Sequence, residues 1–314
     1  MLLDILALVA GLAALVFAGD KLVTGAVALA ERLRISPLVI GLTIVAFGTS
    51  APELFVSLSA AFDDQPGIAI GNVIGSNTAN VLLVLGAPAL INAVNCHENG
   101  IEVSNWAMVG LTAIFMVMLA LGDIGRIDGA ILFSLLIAFI AYQLYAARTG
   151  RLPAPSYEDE VAAEGMTTRA TAIALAIGII GLPIGSELTV TGASGLARTF
   201  GVTDAVIGLT VVAIGTSLPE LVTTVTAALR RSNEVAIGNV IGSNIFNIAC
   251  IMGLTGLIIP IEVRDPRVVS IDMWVMAATT ALLVFLTLRR GTIGRWGGAA
   301  MLTAYAGYLA LFAA

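Results

Sequence analysis

Residues 41–54 of this chain read GLTIVAFGTSAPEL, and residues 208–221 read GLTVVAIGTSLPEL, identical at 11 of 14 positions. Residues 69–77, AIGNVIGSN, return without a change at 236–244. Both pairs share one spacing of 167 residues, which also aligns Gly25 with Gly192 and Asn80 with Asn247. Agreement of two separate stretches at one spacing marks a duplicated unit, so the fold must be built from two similar halves.

The solvent for those halves follows from composition. Hydrophobic residues make up 58% of the 314, and charged residues only 11%, against about 25% charged in soluble proteins. Mean hydropathy is +1.00. So few polar side chains would not cover a water-exposed surface, so lipid is the expected surround. Crossing the hydrocarbon takes roughly 20 apolar residues. Ten runs qualify, near 2–32, 36–62, 67–92, 104–122, 127–147, 169–200, 205–229, 234–260, 269–288 and 294–312. The expected fold is an all-α integral membrane protein of ten transmembrane helices. The polar stretch 148–168, with Pro153, Pro155 and the acidic run Glu158, Asp159 and Glu160, reads as a cytoplasmic linker between five-helix halves at 1–147 and 169–314. Five crossings per half is an odd number, so the second copy enters from the opposite side. That gives an inverted-topology repeat, whose substrate site is expected at the midplane where the halves meet.

Ten arginines fall in loops on one side of this topology, Arg32 and Arg230 among them, and four on the other. The positive-inside rule then places both termini outside, in a cell (inner) membrane. The first 18 residues are short and apolar, but Asp4 and the lack of a basic start argue for a retained helix over a signal peptide. A net charge of −6 gives no basic face for nucleic acid. Cys96 and Cys250 make no disulfide framework, and His97 beside Cys96 is too small a set for zinc.

The chemistry concentrates at the repeated motifs. Gly48, Thr49, Ser50, Ala51, Pro52 and Glu53 interrupt an apolar segment, as do Gly215, Thr216, Ser217, Leu218, Pro219 and Glu220. Gly and Pro predict a broken helix, with Pro in the first turn of its second half. Carbonyls at the break, with Ala46 and Ala213 as the expected contributors, are left without helix donors and would need another partner in lipid. Glu53 and Glu220 lie at mid-segment, where an acid costs on the order of 2.5–3.5 kcal/mol. At a soluble helix start, such residues would read as caps and dipole partners. Duplicated at membrane depth, they read as ion ligands. Two carboxylates balance one Ca²⁺ and also suit Na⁺. The hydroxyls of Thr49, Ser50, Thr216 and Ser217 with backbone carbonyls approach the six to eight hard oxygens Ca²⁺ takes. No soft ligand is expected nearby.

In the third segment of each half, Gly71 and Gly75, and Gly238 and Gly242, form GxxxG faces for close helix packing. Ser76, Asn80, Ser243 and Asn247 present neutral oxygens either to an ion or to a neighbouring helix. Asn72, Asn77, Asn239 and Asn244 are expected to bridge helices. Asp20 and Lys21 read as a local ion pair or as snorkelling residues.

The GTSAPE and GTSLPE motifs with their paired GNVIGSN partners resemble the two alpha-repeats of the sodium/calcium exchanger family, within the cation/calcium antiporter superfamily, over nearly the whole chain. The resemblance implies clustered ion sites around Glu53 and Glu220. It assigns ligand roles to Thr49, Ser50, Ser76, Thr216, Ser217, Ser243 and the carbonyls of Ala46 and Ala213. It also implies that the first and sixth segments slide to alternate access. Asn80 and Asn247 stand where members of the family carry Asn or Asp. Asn247 favours exchange that does not need K⁺, since the K⁺-dependent branch has Asp in the second repeat. Thr49 and Thr216 stand where proton/calcium exchangers have Asn, which favours Na⁺ as the driving ion. The expectation is a Na⁺/Ca²⁺ antiporter, electrogenic, functional as a monomer, with no cofactor and no enzymatic activity. An H⁺/Ca²⁺ antiporter and, more weakly, a cation channel are the alternatives, and an intramembrane acid-pair hydrolase fits the symmetric motifs less well.

Overall fold

The computed structural model describes residues 1–96, 98, 100–149, 166–201, 213–289 and 291–313. His97 and most of the 148–168 linker therefore lie outside the described residues, as does 202–212, the start of the seventh expected segment. What is described is helical apart from two short strand pairs between helix ends. Seven helices are long and apolar enough to cross a membrane, and a bent helix pair makes eight spans.

In chain order the helices are α1 Leu2–Leu33, α2 Pro37–Thr49, α3 Ala51–Phe62, α4 Pro66–Ile91, α5 Glu102–Leu121, α6 Arg126–Arg148, α7 Thr168–Thr199, α8 Ala213–Thr216, α9 Leu218–Leu229, α10 Asn233–Ile258, α11 Val268–Leu288 and α12 Arg295–Ala313. Two short antiparallel ladders tie helix ends together. β1, Val94–Asn95, pairs with β4, Thr292–Ile293. β2, Asp123–Ile124, pairs with β3, Ile261–Glu262.

Loop contacts sort these ends into two sets. At the β1–β4 end, Ser36 Oγ donates to Glu234 Oε2, and Arg32 donates to Thr168 Oγ1 and to the Met166 carbonyl. At the other end Arg264 pairs with Asp64 at 3.1 Å. Trp106 and Trp296 are exposed at the first end and Trp274 at the second, where indole rings favour the membrane interface.

Local conformation follows the sequence repeat. α2 and α3 meet at 45°, with Ser50 between them at φ −84°, ψ 7°. Ser217 takes φ −85°, ψ 3° between α8 and α9. Asp64 and Arg231, also 167 residues apart, both adopt left-handed φ of 54° and 61° just beyond helix ends. α4 and α10 each widen to π-helical turns starting at matching asparagines, over Asn80–Val84 and Asn247–Met252. Neither motif betrays these turns.

α10 runs through the middle of the bundle, wholly buried over its apolar window. Gly238 and Gly242 allow it to press against α2. A Cβ on Gly242 would sit 2.6 Å from Ala46 Cβ, and one on Gly238 2.8 Å from the Leu38 carbonyl. The GxxxG face of this half is thus a packing face. The residues that would face Gly71 and Gly75 by repeat symmetry, 205–213, fall mostly outside the described residues.

α1 and α7 form a long antiparallel pair on the flank of the bundle. The matched glycines Gly25 and Gly192 both lie in that seam. An added Cβ would come 2.9 Å from Leu175 Cγ and 2.5 Å from the Asp4 carbonyl, respectively.

Candidate ion-binding site

Each Pro-interrupted helix delivers an acid to the interior. Pro52 and Pro219 occupy the first turn of α3 and α9, where a missing N–H is harmless. The next residues, Glu53 and Glu220, are each 1% exposed. α4 and α10 hold these helices from behind in the same way. Asn72 Nδ2 donates to the Glu53 carbonyl at 3.0 Å and to Ser57 Oγ at 2.9 Å. Asn239 Nδ2 donates to the Glu220 carbonyl at 3.4 Å and to Thr224 Oγ1 at 3.1 Å.

The two breaks face each other. Ser50 Oγ donates to Glu220 Oε1 at 3.1 Å, across 170 residues of sequence. Thr49 Oγ1 donates to Asn239 Oδ1 at 3.0 Å and lies 3.4 Å from Ser243 Oγ. Thr49, Ser50, Glu53, Ser76, Asn80, Ser217, Glu220, Ser243 and Asn247 are all buried. Thr216 closes α8 immediately before Ser217.

Six buried side-chain oxygens in this region have no hydrogen-bond partner among the described residues: Glu53 Oε2, Glu220 Oε2, Ser217 Oγ, Asn80 Oδ1, Asn247 Oδ1 and Thr223 Oγ1. Leaving a buried acceptor unsatisfied costs about 1–3 kcal/mol, more for a charged one. Four of the six are carboxylate or amide oxygens and can only accept, a donor set for a hard cation. Thr223, one turn beyond Glu220, was not singled out from the sequence; only its position three residues after the acid could have marked it.

Two expectations are corrected. The Ala46 carbonyl is not left without a helix partner. It accepts from Ser50 N at 3.0 Å, because the chain holds its helical turn up to Ser50, and lies 3.3 Å from Thr49 Oγ1, whose proton goes to Asn239. In the second half Ser217 N also reaches the Ile214 carbonyl, at 3.1 Å, a tighter turn at the break before α9. The carbonyls deprived by the prolines are those four residues upstream. Gly215 is one, and Ser186 Oγ donates to it at 2.6 Å. Gly19 stands at the matching position and brings no hydroxyl to Gly48.

The second correction concerns soft ligands. Cys250 lines the same small crevice as Phe47, Ser50, Leu54 and Phe246, so one sulfur does lie near the hydroxyl set. A single thiol among oxygens does not define a soft-metal site. Among the described residues no group of three or more His, Cys, Asp or Glu side chains is placed to hold a metal.

Asp20 makes the expected local ion pair and a further one. It lies 3.8 Å from Lys21, but its closer partner is Arg230, which donates to Asp20 Oδ1 and, at 2.8 Å, to Thr24 Oγ1.

A lipid-suited helix bundle enclosing paired acids on broken helices is the build of an ion carrier. The profile of the sodium/calcium exchanger protein family matches residues 3–145 and 170–314, and the chain belongs to that family. It is 38% identical over 314 residues to the putative antiporter CaxA of Alkalimonas amylolytica, covering 98% of each chain. It is 35% identical to the inner membrane protein YrbG of Escherichia coli K12, covering 92% of this chain and 90% of that one. The solved structure of the sodium-calcium exchanger NCX_Mj soaked with Na⁺ and Ca²⁺ superposes with a TM-score of 0.84 at 31% identity, covering 99% of this chain and 98% of that one. The chain is thus a membrane protein of the cation/Ca²⁺ antiporter kind, and its family and structural neighbours are transporters, not enzymes.

Proposed function

We propose that this protein exchanges Na⁺ for Ca²⁺ by alternating access, at a site centred on Glu53 and Glu220. The observation that carries the proposal is the meeting of the two broken helices, with the Ser50 hydroxyl on Glu220 and both acids buried. Thr49, Ser50, Ser76, Asn80, Thr216, Ser217, Ser243, Asn247 and the Ala213 carbonyl supply neutral oxygens around them. The Ala46 carbonyl adds to them through the lone pair that its bond from Ser50 N leaves free.

The proposed architecture is ten crossings in two inverted five-helix halves, 1–147 and 169–314, joined by a cytoplasmic linker at 148–168. The sorting of loops into two ends supports it. Both termini are then outside the inner membrane, and one chain suffices. Two carboxylates neutralise one Ca²⁺; three Na⁺ would carry an uncompensated charge, so exchange is electrogenic. Asn247 in place of an acid supports independence from K⁺.

Purified protein in sealed vesicles tests this. Ca²⁺ uptake should require an outward-directed Na⁺ gradient and respond to an imposed membrane potential. Uptake driven equally by a proton gradient would make it an H⁺/Ca²⁺ antiporter, and uptake indifferent to counter-ions would make it a channel.

A further inference from the structure

Behind the acids, four asparagines interlock. Asn80 Nδ2 donates to Asn244 Oδ1 at 3.1 Å. Its image in the repeat is Asn247 Nδ2 donating to Asn77 Oδ1 at 3.0 Å. Asn77 Nδ2 in turn reaches the Asn244 backbone carbonyl at 3.4 Å and Met276 Sδ at 3.8 Å. Asn244 Nδ2 faces Met108 Sδ at 3.7 Å. All four side chains are buried.

A primary amide can be turned end for end, so its polarity needs a cause. Here the groups that Asn77 and Asn244 meet besides Asn247 and Asn80 are acceptors only: the Asn244 backbone carbonyl, Met276 Sδ and Met108 Sδ. A backbone carbonyl and a thioether cannot donate, so Asn77 and Asn244 must turn their NH₂ groups toward them. That fixes Oδ1 of each toward the other half, and Asn247 and Asn80 must then donate inward to these oxygens. Their own Oδ1 atoms are left pointing elsewhere, and both are buried without a hydrogen-bond partner among the described residues. Asn80 and Asn247 open the π-helical turns of α4 and α10, which pack against the Glu-bearing helix of the opposite half, α9 and α3 respectively.

We infer that Asn77 and Asn244 are positioning residues that set the polarity of the ion site: they hold the amide groups of Asn80 and Asn247 so that oxygen, never NH₂, faces the cation. This rests on the exchanger reading of the Glu53/Glu220 site. It explains how a site with only two formal charges offers two further oxygens without a third acid. An inverted amide would instead aim N–H groups at a positive ion.

The test is a double-mutant cycle read as the Ca²⁺ concentration giving half-maximal Na⁺-driven ⁴⁵Ca²⁺ uptake, with calorimetric Ca²⁺ binding beside it. Asn244→Ala removes the acceptor that orients Asn80. It should weaken Ca²⁺ about 10- to 100-fold, the range for losing an outer partner of a metal ligand. Asn80→Asp presents oxygen whichever way it rotates and no longer donates to Asn244. In that background Asn244→Ala should cost nothing or restore affinity, since it removes an oxygen facing a carboxylate. Asn77→Ala with Asn247→Asp repeats the cycle in the other half and serves if an Asn244 variant fails to fold. Wild-type affinity in Asn244→Ala, or an equal loss in both backgrounds, would overturn the inference by making the role one of packing. Full Ca²⁺ binding in Glu53→Gln would instead overturn the underlying site, so the two failures are separable.

Discussion

At the centre of the molecule the asparagine contacts match across the halves, Asn80 to Asn244 and Asn247 to Asn77, although Ser50 donates to Glu220 while Ser217 Oγ has no partner among the described residues. On the flanks they do not. Asp20 of α1 is paired with Arg230 at the end of α9. The residues 167 positions away, Glu187 of α7 and Asp63 at the end of α3, are both acids. Packing follows charge: α1 lies along α9, whereas α7 scarcely touches α3. Under the proposed exchange, a centre that takes the same ion from either side benefits from symmetry. The flanks are free of that requirement, and the Asp20–Arg230 pair ties α1 to α9 with no counterpart between α7 and α3 among the described residues.

The largest expected effect tests the matched centre. Glu53→Gln and Glu220→Gln should each abolish Na⁺-driven Ca²⁺ uptake in vesicles, and to the same degree. Retained uptake in either variant would break the equivalence of the halves. Next, Gly242→Ala should push α10 away from α2, because the new Cβ meets Ala46 Cβ and the Leu42 carbonyl at 2.6 and 2.8 Å. Overpacking of this kind costs about 1–3 kcal/mol, to be seen as a lower unfolding temperature in detergent with the fold retained.

The unmatched flanks give a smaller effect. Arg230→Gln removes a half-exposed ion pair, worth no more than about 1 kcal/mol. It should raise thiol labelling of a cysteine placed at Lys21, while Asp63→Gln leaves that labelling unchanged. Equal effects would show that the charge asymmetry does not hold α1 against α9. Smallest of all, Cys96 lies fully buried beside β1, and burial pushes its thiol up to about 12. The thiolate, the reactive form, is then scarce until the pH approaches that value. Maleimide labelling of Cys96 in folded protein should be negligible at pH 7–8 and should appear on unfolding.

Much of the centre was legible because it is local. Pro52 and Pro219 break their helices within a few residues of themselves, and a buried acid after each declares its role. The repeat then implies that the two acids meet. What escaped the sequence depends on distant partners or on packing. The Asp20–Arg230 pair joins residues 210 apart. The π-helical turns at Asn80 and Asn247 leave no composition signal, since they reflect how α4 and α10 fit their neighbours. Occupation of the Ala46 carbonyl follows from one backbone turn at Ser50, which Gly and Pro alone do not fix. Cys250 reads as a core residue until the fold sets it in the Ser50 crevice.

The central claim is that Glu53 and Glu220 hold one cation between them. Crystals soaked in Sr²⁺, with anomalous scattering recorded, address it most directly. The peak should lie between the two carboxylates with both in contact. A peak away from them, or carboxylates turned from one another with no ion between, would contradict it.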